Sequence, residues 1–374
     1  MIIVAMLLAM SEAVASGGEL ESFDVVVSQV PSPVQSDDHQ QLLYELHLTN
    51  FAAYSLVLRS VRVLNADSQQ PLAEFSNSLT DHLILVGASK PTNHQSEIIV
   101  LPGERAILFV ELALDDPTGP LALRHDIDYS MAGESTIYTL HAGKVLVDKT
   151  VPIVLGPPLQ KGIWVAIHSP VWPRGHRRVI YALSGRARIP GRYAIDFVGV
   201  DEFGRTTHGN SDLPSDAIGY AAPVLAGADA NVAAVRDGMA ESPSIRGNAA
   251  HALGDGAGNY IALSLPGNRF VFYEHLAPGS IRVKVGEHVH LGEVIGKLGF
   301  AGDTTGPHLH MHVADGMDPL AAEGLPFVIA NYKEIGRYSN ISDLGQRKWK
   351  TNESSIGQNK IREWPGANVV IEFN

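Results

Sequence analysis

Short alternating strands dominate the first part of the chain. Residues 42–48, 56–64 and 105–112 each alternate apolar with polar side chains, and turn-forming Asn, Asp, Pro and Gly residues separate the runs. Successive side chains of a strand point to opposite faces, so these runs predict half-buried strands. Several short strands at regular spacing are typical of an antiparallel β-sandwich. The pattern therefore predicts a β-sandwich over residues 20–155.

The second half of the chain predicts another all-β domain. Gly156-Pro157-Pro158 is a stiff break in the pattern and marks the expected domain boundary. Beyond it, apolar strands alternate with glycine-rich turns, which predicts a β-sheet domain over residues 156–330 after an immunoglobulin-like sandwich. Residues 331–374 form a mostly polar C-terminal extension, and its apolar run at 367–373 is expected to add an edge strand.

Composition narrows the chemistry. The chain has 374 residues, enough for two domains with sizeable cores. Its formal net charge is −12 and its basic residues are scattered, which argues against nucleic-acid binding, since that needs a concentrated basic face. The chain contains no cysteine, so disulfides and a thiolate nucleophile are excluded. Any bound metal must be held by His, Asp or Glu.

The N-terminus carries a pattern typical of export. Residues 1–10 are apolar but too few to span a bilayer as a helix, and Ala13-Val14-Ala15 fits the small-x-small rule for signal cleavage. We therefore predict a signal peptide over residues 1–15 and a periplasmic or extracellular protein. The alternative is a first buried strand. No other segment is long and apolar enough to predict a transmembrane anchor in the mature chain.

Three histidines alternate after a Gly-Pro break. His308, His310 and His312 follow Gly306-Pro307 in a run that reads as a strand, so their side chains share one face. Neutral imidazole is the commonest protein ligand for zinc-type ions. An exposed strand face could also carry three histidines without a function. The alternation beside a Gly-rich turn favours a metal site.

A carboxylate lies inside another apolar strand. Asp196 is flanked by Ala, Ile, Phe and Val within residues 192–198. Such a carboxylate is rarely buried unless it is paired or coordinates a metal. Asp196, then His275 in Tyr-Glu-His-Leu, then the Pro-His-Leu-His segment, in this order within a Gly-rich β framework, resemble the lysostaphin-like (LytM-type) zinc metallopeptidases. The resemblance covers roughly residues 156–326.

This resemblance implies an exported enzyme that cleaves peptide cross-links or stems of bacterial peptidoglycan. It makes Asp196 and His310 zinc ligands, and His275 and His308 the catalytic pair beside the metal. We expect His308 to act as general base and His275 to stabilise the oxyanion, with the reverse assignment open. His312 is expected to orient a ligand from behind rather than to bind metal.

The sequence departs from the family pattern at one position. The family has His-x-x-x-Asp, with that histidine as the remaining ligand, whereas Arg192 stands four residues before Asp196 and cannot bind zinc. We predict that His176 supplies the missing ligand. The Gly-His-Arg-Arg run that contains it is similar to a feature of a variant branch of the family. His168 and His208 are weaker alternatives, and His176 could be an ordinary loop residue.

Two functions follow from these residues. The first is a zinc-dependent endopeptidase that hydrolyses peptide bonds of peptidoglycan with a metal-activated water and a histidine base. Joint retention of the aspartate and histidines of the motif favours it. The alternative is a non-catalytic module with a degenerate peptidase fold that binds or regulates the cell-wall machinery. Arg192 favours that alternative.

Overall fold

The computed structural model describes residues 20–87, 97–114, 119, 121–169, 172, 175–351 and 358–373. The predicted signal peptide, residues 1–15, lies outside this part of the chain. None of the helices within the described residues is long and apolar enough to cross a membrane. The regular elements of the described residues are β-strands and short 3-10 helices, so the prediction of an all-β chain is confirmed.

The strands before residue 150 are β1 (Phe23–Val27), β2 (Pro33–Ser36), β3 (His39–Asn50), β4 (Leu56–Asn65), β5 (Pro71–Phe75), β6 (Leu83–Val86), β7 (Ile98–Val100), β8 (Arg105–Leu114), β9 (Ala122–Met131) and β10 (Tyr138–Leu146). The later strands are β11 (Ile153–Leu155), β12 (Gly162–Ile167), β13 (Tyr181–Leu183), β14 (Arg186–Arg188), β15 (Ile195–Val200), β16 (Pro223–Leu225), β17 (Ala230–Arg236), β18 (Tyr260–Leu265), β19 (Arg269–Glu274), β20 (His288–Val289), β21 (Val294–Lys297), β22 (Leu309–Ala314), β23 (Phe327–Arg337), β24 (Gln358–Glu363) and β25 (Val369–Phe373). The 3-10 helices span Leu79–His82, His176–Arg178, Pro214–Asp216, Leu253–Asp255 and Ile341–Asp343.

The N-terminal strands form two five-stranded sheets that share one apolar core. One sheet has the order β1-β3-β8-β6 with β2 on β3, and the other has the order β10-β9-β4-β5 with β7 on β4. Alternate residues of the facing strands, such as Leu46, Val61, Val110 and Ile127, are fully buried between the sheets. Apolar burial of this kind is the main force that holds two sheets together. The immunoglobulin-like topology stays a prediction.

An eleven-stranded sheet organises the second half of the chain. Its order is β11-β23-β25-β12-β15-β22-β19-β18-β17-β20, with β24 paired to β23. Strands β15, β22 and β19 are neighbours near its middle, and they carry Asp196, His310 and Glu274 at matched positions of the register. The residues of the sequence motif are therefore brought together by strand pairing, on rigid backbone.

The C-terminal residues belong to the same sheet. β23 runs through the predicted boundary at residue 330, and β25 lies between β23 and β12. The expectation that residues 367–373 form an edge strand was wrong. An apolar run fits a strand buried on both faces as well as an edge strand, and only the pairing partners distinguish the two. The remaining predicted domain boundaries stay predictions.

The sandwich packs directly on the second domain. Val34 and Leu43 belong to the buried apolar cluster that also contains Tyr193 and Trp364. A separate cluster joins Ile107 and Phe109 of β8 to Ile189, which precedes the strand of Asp196. The interface between the two parts is therefore apolar over much of its extent.

Candidate metal centre

Asp196 is the centre of a group of imidazoles. Its Oδ1 lies 2.9 Å from His310 Nδ1 and 3.2 Å from His308 Nε2, and its Oδ2 lies 2.9 Å from His176 Nε2. Burial alone would raise the pKa of the Asp196 carboxyl, but the charges of His176 and His308 and their hydrogen bonds hold that pKa well below its ordinary value. The carboxylate is thus ionised at neutral pH.

His176 reaches this group from outside the sheet. It begins the short helix His176–Arg178, and its ring centroid lies 5.0 Å from that of His310. Gly191 lets the chain approach closely here, because a Cβ at that position would lie 3.0 Å from the carbonyl oxygen of His176. The Nδ1 atom of His176 is buried and has no hydrogen-bond partner among the described residues.

His275 and His308 form the second part of the site. His275 Nδ1 lies 2.8 Å from the carbonyl oxygen of Ala301, and His308 Nδ1 lies 2.8 Å from that of Gly306. A carbonyl oxygen only accepts, so each Nδ1 carries the hydrogen and each Nε2 of a neutral ring keeps a lone pair. The two ring centroids are 4.8 Å apart. Both imidazoles are therefore held in one orientation and one tautomer.

The surroundings shift these two imidazoles in opposite directions. Burial holds the pKa of His275 well below its ordinary value. Burial also opposes the charged form of His308, but the Asp196 carboxylate outweighs it and raises the pKa of His308. His275 has a backbone φ of 62°, a left-handed conformation that costs free energy for any residue other than glycine. Such strain at a site is typical of functional residues.

The donor set fits zinc. His176, Asp196 and His310 each offer one ligand atom, and these atoms lie within 4.8 Å of one another. Two imidazoles and one carboxylate are a ligand set that catalytic zinc uses, with a further position left for water. The ligand atoms of His275, His308 and His310 also lie within 4.8 Å of one another, so these three histidines are an alternative ligand set within the site. The ligand and catalytic roles predicted from the sequence stay predictions, and the structure places all of these residues together.

Arg192 lies away from this group. Its guanidinium is buried and donates to Glu45 of β3 and to the carbonyl oxygen of Gly324. The weaker ligand candidates also lie elsewhere. His168 stacks on Trp364, with centroids 4.0 Å apart, and His208 is exposed. Neither belongs to a group of possible metal ligands within the described residues.

His312 and Glu274 line the wall of the site. The His312 ring stacks on Phe272 and lies 5.3 Å from the His310 ring, and its Nδ1 is 3.6 Å from Glu274 Oε1. Neither ring nitrogen of His312 has a hydrogen-bond partner among the described residues. Its predicted role in orienting a ligand stays a prediction.

Glu274 was missed by the sequence reasoning. It ends strand β19 after Phe-Val-Phe-Tyr, is buried, and is the register partner of His310. Burial, with a smaller contribution from Asp196, raises the pKa of Glu274 to about 8. The signal was available, because a carboxylate in an apolar strand is the same anomaly that singled out Asp196.

Asp196 lines two cavities. A cavity of about 610 Å³ contains His176, Asp196 and His310 and has apolar walls that include Leu253 and Leu320. A second cavity of about 370 Å³ is lined by apolar residues such as Leu213, Ile245 and Leu344. Both cavities are bounded by Trp172, Asp196 and His308. An extended chain could therefore lie across the site.

Residues 217–321 match the family described as Peptidase family M23. This range contains His275, His308 and His310 but neither Asp196 nor His176. Lysostaphin from Staphylococcus staphylolyticus is 34% identical over 102 residues, which cover 26% of this chain and 20% of the lysostaphin. The chain thus spans about a fifth of the length of this curated relative.

Solved structures with related folds include the catalytic domain of lysostaphin from Staphylococcus simulans, which is 21% identical with a TM-score of 0.23 and covers 44% of this chain and 88% of that one. A putative peptidase M23 from Pseudomonas aeruginosa is 16% identical with a TM-score of 0.25 and covers 71% of this chain and 85% of that one. The family match covers the Tyr-Glu-His-Leu and Pro-His-Leu-His segments of the sequence motif. The chain therefore contains a domain of peptidase family M23, of the lysostaphin-like type.

Proposed function

We propose that this protein is a zinc-dependent endopeptidase that hydrolyses peptide bonds of bacterial peptidoglycan. The observation that carries the proposal is the meeting of His176, Asp196 and His310 at 2.9 Å contacts, with His275 and His308 beside them. A set of three ligands next to two uncoordinated imidazoles is what metal-assisted hydrolysis requires. No cysteine in the chain offers a thiolate route.

His176, Asp196 and His310 would hold the zinc. When bound, zinc lowers the pKa of water towards neutrality and polarises a carbonyl group. A neutral His308 ring has a lone pair on Nε2, so it would take the proton of the attacking water and return it to the departing amine. His275 stabilises the developing oxyanion when its Nε2 is protonated. The reverse assignment stays open, because both rings are tied through Nδ1 and the pKa shifts of the metal-free protein favour a neutral His275 and a protonated His308.

The substrate proposal rests on the cleft and on the family. The two cavities that share Asp196 and His308 as lining residues suit an extended peptide that is cut within its length rather than at an end. The peptidoglycan substrate is proposed from the segment that is 34% identical to lysostaphin and from the motif residues. We also propose that the protein is exported to the periplasm or medium, as residues 1–15 predict. Its partner is then the peptide of the cell wall rather than a nucleic acid.

The non-catalytic alternative loses much of its support. Arg192 favoured it because a cation seemed to occupy a ligand position. In the structure Arg192 points to Glu45 instead, and His176 stands beside Asp196. An arginine at position 192 is therefore compatible with a complete ligand set.

Metal content and hydrolysis test the proposal together. Zinc per chain would be measured on the purified mature protein and on His176→Ala and Asp196→Ala, with exposed His208→Ala as the control, all in a His290→Ala background that removes a second, exposed group of possible ligands. We expect about one zinc in the wild type and the control, no zinc in the two site variants, and release of soluble fragments from purified peptidoglycan only where zinc is bound. A wild type that stays metal-free after zinc is supplied would favour the non-catalytic module.

A further inference from the structure

We infer that Glu45 of the sandwich is a positioning residue for the metal centre, acting through Arg177 and Arg192 of the peptidase domain. The inference rests on the proposed metal centre and goes beyond it, because it assigns the sandwich a part in building the site. Glu45 lies in the middle of β3, and its side chain is completely buried (0% exposed).

One carboxylate holds two guanidinium groups. Arg177 Nε donates to Glu45 Oε1 at 3.0 Å, and Arg192 donates to Glu45 Oε2 from Nε at 2.9 Å and from Nη2 at 2.7 Å. The side chains of Arg177 and Arg192 are 5% and 1% exposed. Burial alone would raise the pKa of Glu45, but the charges and hydrogen bonds of the two arginines lower it. All three groups are therefore charged at neutral pH.

The two arginines are next to the residues that are proposed to hold the metal. Arg177 directly follows His176 in the chain. Arg192 directly follows Gly191, where an added Cβ would lie 3.0 Å from the His176 carbonyl oxygen, and it precedes the strand of Asp196. The Glu45 carboxylate therefore fixes, from one point, the turn that carries His176 and the turn that leads to Asp196.

Further contacts tie Arg177 to the sandwich backbone. Its Nη2 donates to the carbonyl oxygens of Tyr44 at 2.7 Å and Val110 at 2.8 Å, and its Nη1 donates to Glu111 at 2.9 Å. The guanidinium lies over the Phe109 ring, 5.7 Å from the centroid. Strands β3 and β8 thus surround the buried guanidinium of Arg177, the residue next to His176 in the chain, with hydrogen-bond acceptors and an aromatic ring.

A role only in holding the two domains together explains the Glu45, Arg177 and Arg192 cluster less well than a role in positioning His176. The interface already has apolar contacts, such as Phe109 with Ile189. Buried ion pairs add little net stability compared with apolar residues of the same size, because both charges lose their hydration. They do fix geometry, since each hydrogen bond is directional. The cluster is therefore better suited to holding His176 in place than to joining the domains.

The test uses the full-length chain in a His290→Ala background. That substitution removes a second, exposed group of possible ligands formed by Asp229, His288 and His290, so that only the central site is measured. Glu45→Gln keeps the size of the side chain and removes its charge. Glu111→Gln is the matched control, because Glu111 also contacts Arg177 but is 27% exposed and does not touch Arg192.

Zinc affinity would be measured by competition with a chelator, and ligand geometry by the visible absorption spectrum of the cobalt(II)-substituted protein. For Glu45→Gln we expect about tenfold or greater weakening of zinc binding and a changed cobalt spectrum, as for other residues that support metal ligands. For Glu111→Gln we expect a change of about twofold or less. Unchanged zinc affinity and spectrum in Glu45→Gln would overturn the inference.

A second variant covers the case in which Glu45→Gln does not fold. Glu45→Met with Arg192→Met replaces two members of the buried cluster by apolar side chains, a kind of change that is often tolerated. Arg177 keeps its contacts with Glu111 and two carbonyl oxygens, and Glu323, which pairs with Arg192 at 2.5 Å, has a pKa that burial raises, so its carboxyl can be protonated when Arg192 is replaced. A folded double variant with weakened zinc binding supports positioning, and one with wild-type affinity and spectrum refutes it. If the parent protein itself binds no zinc, the proposed function fails. If the parent binds zinc and the variants bind it with the same affinity, only the positioning role of Glu45 fails.

Discussion

His310 Nδ1 lies 2.9 Å from Asp196 Oδ1, and the two residues are register partners on the neighbouring strands β22 and β15. The contact is therefore set by the pairing of two central strands rather than by a mobile loop. His176 completes the group from outside the sheet, on a short helix that the sandwich supports. The site thus joins a pair of proposed ligands on paired strands to a third proposed ligand, His176, whose neighbour Arg177 contacts the sandwich.

Asp196→Asn should remove the metal while keeping the fold. The amide has the size of the carboxylate but lacks the charge that attracts zinc and the neighbouring imidazoles. We expect zinc content close to zero and peptidoglycan hydrolysis lowered by about 100-fold or more. Zinc analysis and circular dichroism on the same sample check both parts. In a His290→Ala background, which removes the exposed group of Asp229, His288 and His290, retention of zinc by a folded variant would show that another set at the site, such as His275, His308 and His310, holds the metal.

His275→Gln and His308→Gln should separate metal binding from catalysis. Neither residue belongs to the proposed ligand set, so each variant is expected to keep about one zinc. Loss of a general base or of oxyanion stabilisation lowers turnover by about 100- to 10,000-fold. The readouts are zinc per chain and the rate of peptidoglycan solubilisation. In the variant that has lost the general base, kcat should no longer rise with pH as it does in the wild type. The variant that shows this change identifies which of the two histidines is the base.

The sequence indicated most of the residues at the site but not the way they are supported. Alternation placed His308, His310 and His312 on one strand face, and an apolar setting singled out Asp196, because both signals are local. The same local signal identified Glu274 as unusual once its burial was known. Glu45 and Arg192 are separated by 147 positions along the chain, and nothing in the sequence around either residue indicates that the two form an ion pair. The place of β25 inside the sheet was lost for the same reason, since pairing partners are a property of the whole fold.

Gly191→Ala should weaken zinc binding without changing any ligand. The new Cβ would lie 3.0 Å from the His176 carbonyl oxygen and 3.1 Å from its Cα, closer than backbone atoms accept without moving. The displaced atoms belong to a proposed ligand, so we expect zinc affinity to fall about tenfold or more. Chelator competition measures the effect. Gly254→Ala is the control, because a Cβ there would have no neighbour within 4 Å. Equal affinities in the two variants would show that His176 is not a ligand.

The free energy of unfolding of the metal-free protein should fall as pH rises from about 4.5 to about 8, because over this range Glu274 is protonated in the folded chain and ionised in the unfolded chain. The pKa of Glu274 is raised to about 8 from the ordinary value of 4.5, by burial and to a lesser extent by Asp196. Between these two values the unfolded chain releases this proton and the folded chain keeps it. The group therefore lowers the free energy of unfolding by up to about 1.4 kcal/mol for each pH unit in that window.

Glu274→Gln removes this effect, because the amide is neutral in both states and has the shape of the protonated acid. Urea unfolding of the metal-free wild type and the variant, from about pH 5 to pH 8, isolates the contribution as a difference of two slopes. Contributions from other titrating groups, such as buried His168, whose pKa burial lowers to about 4, cancel in that difference. We expect the variant to gain stability relative to the wild type as pH rises. Parallel curves would mean that Glu274 ionises in the folded chain as it does in water, and that its burial beside His312 is relieved by solvent.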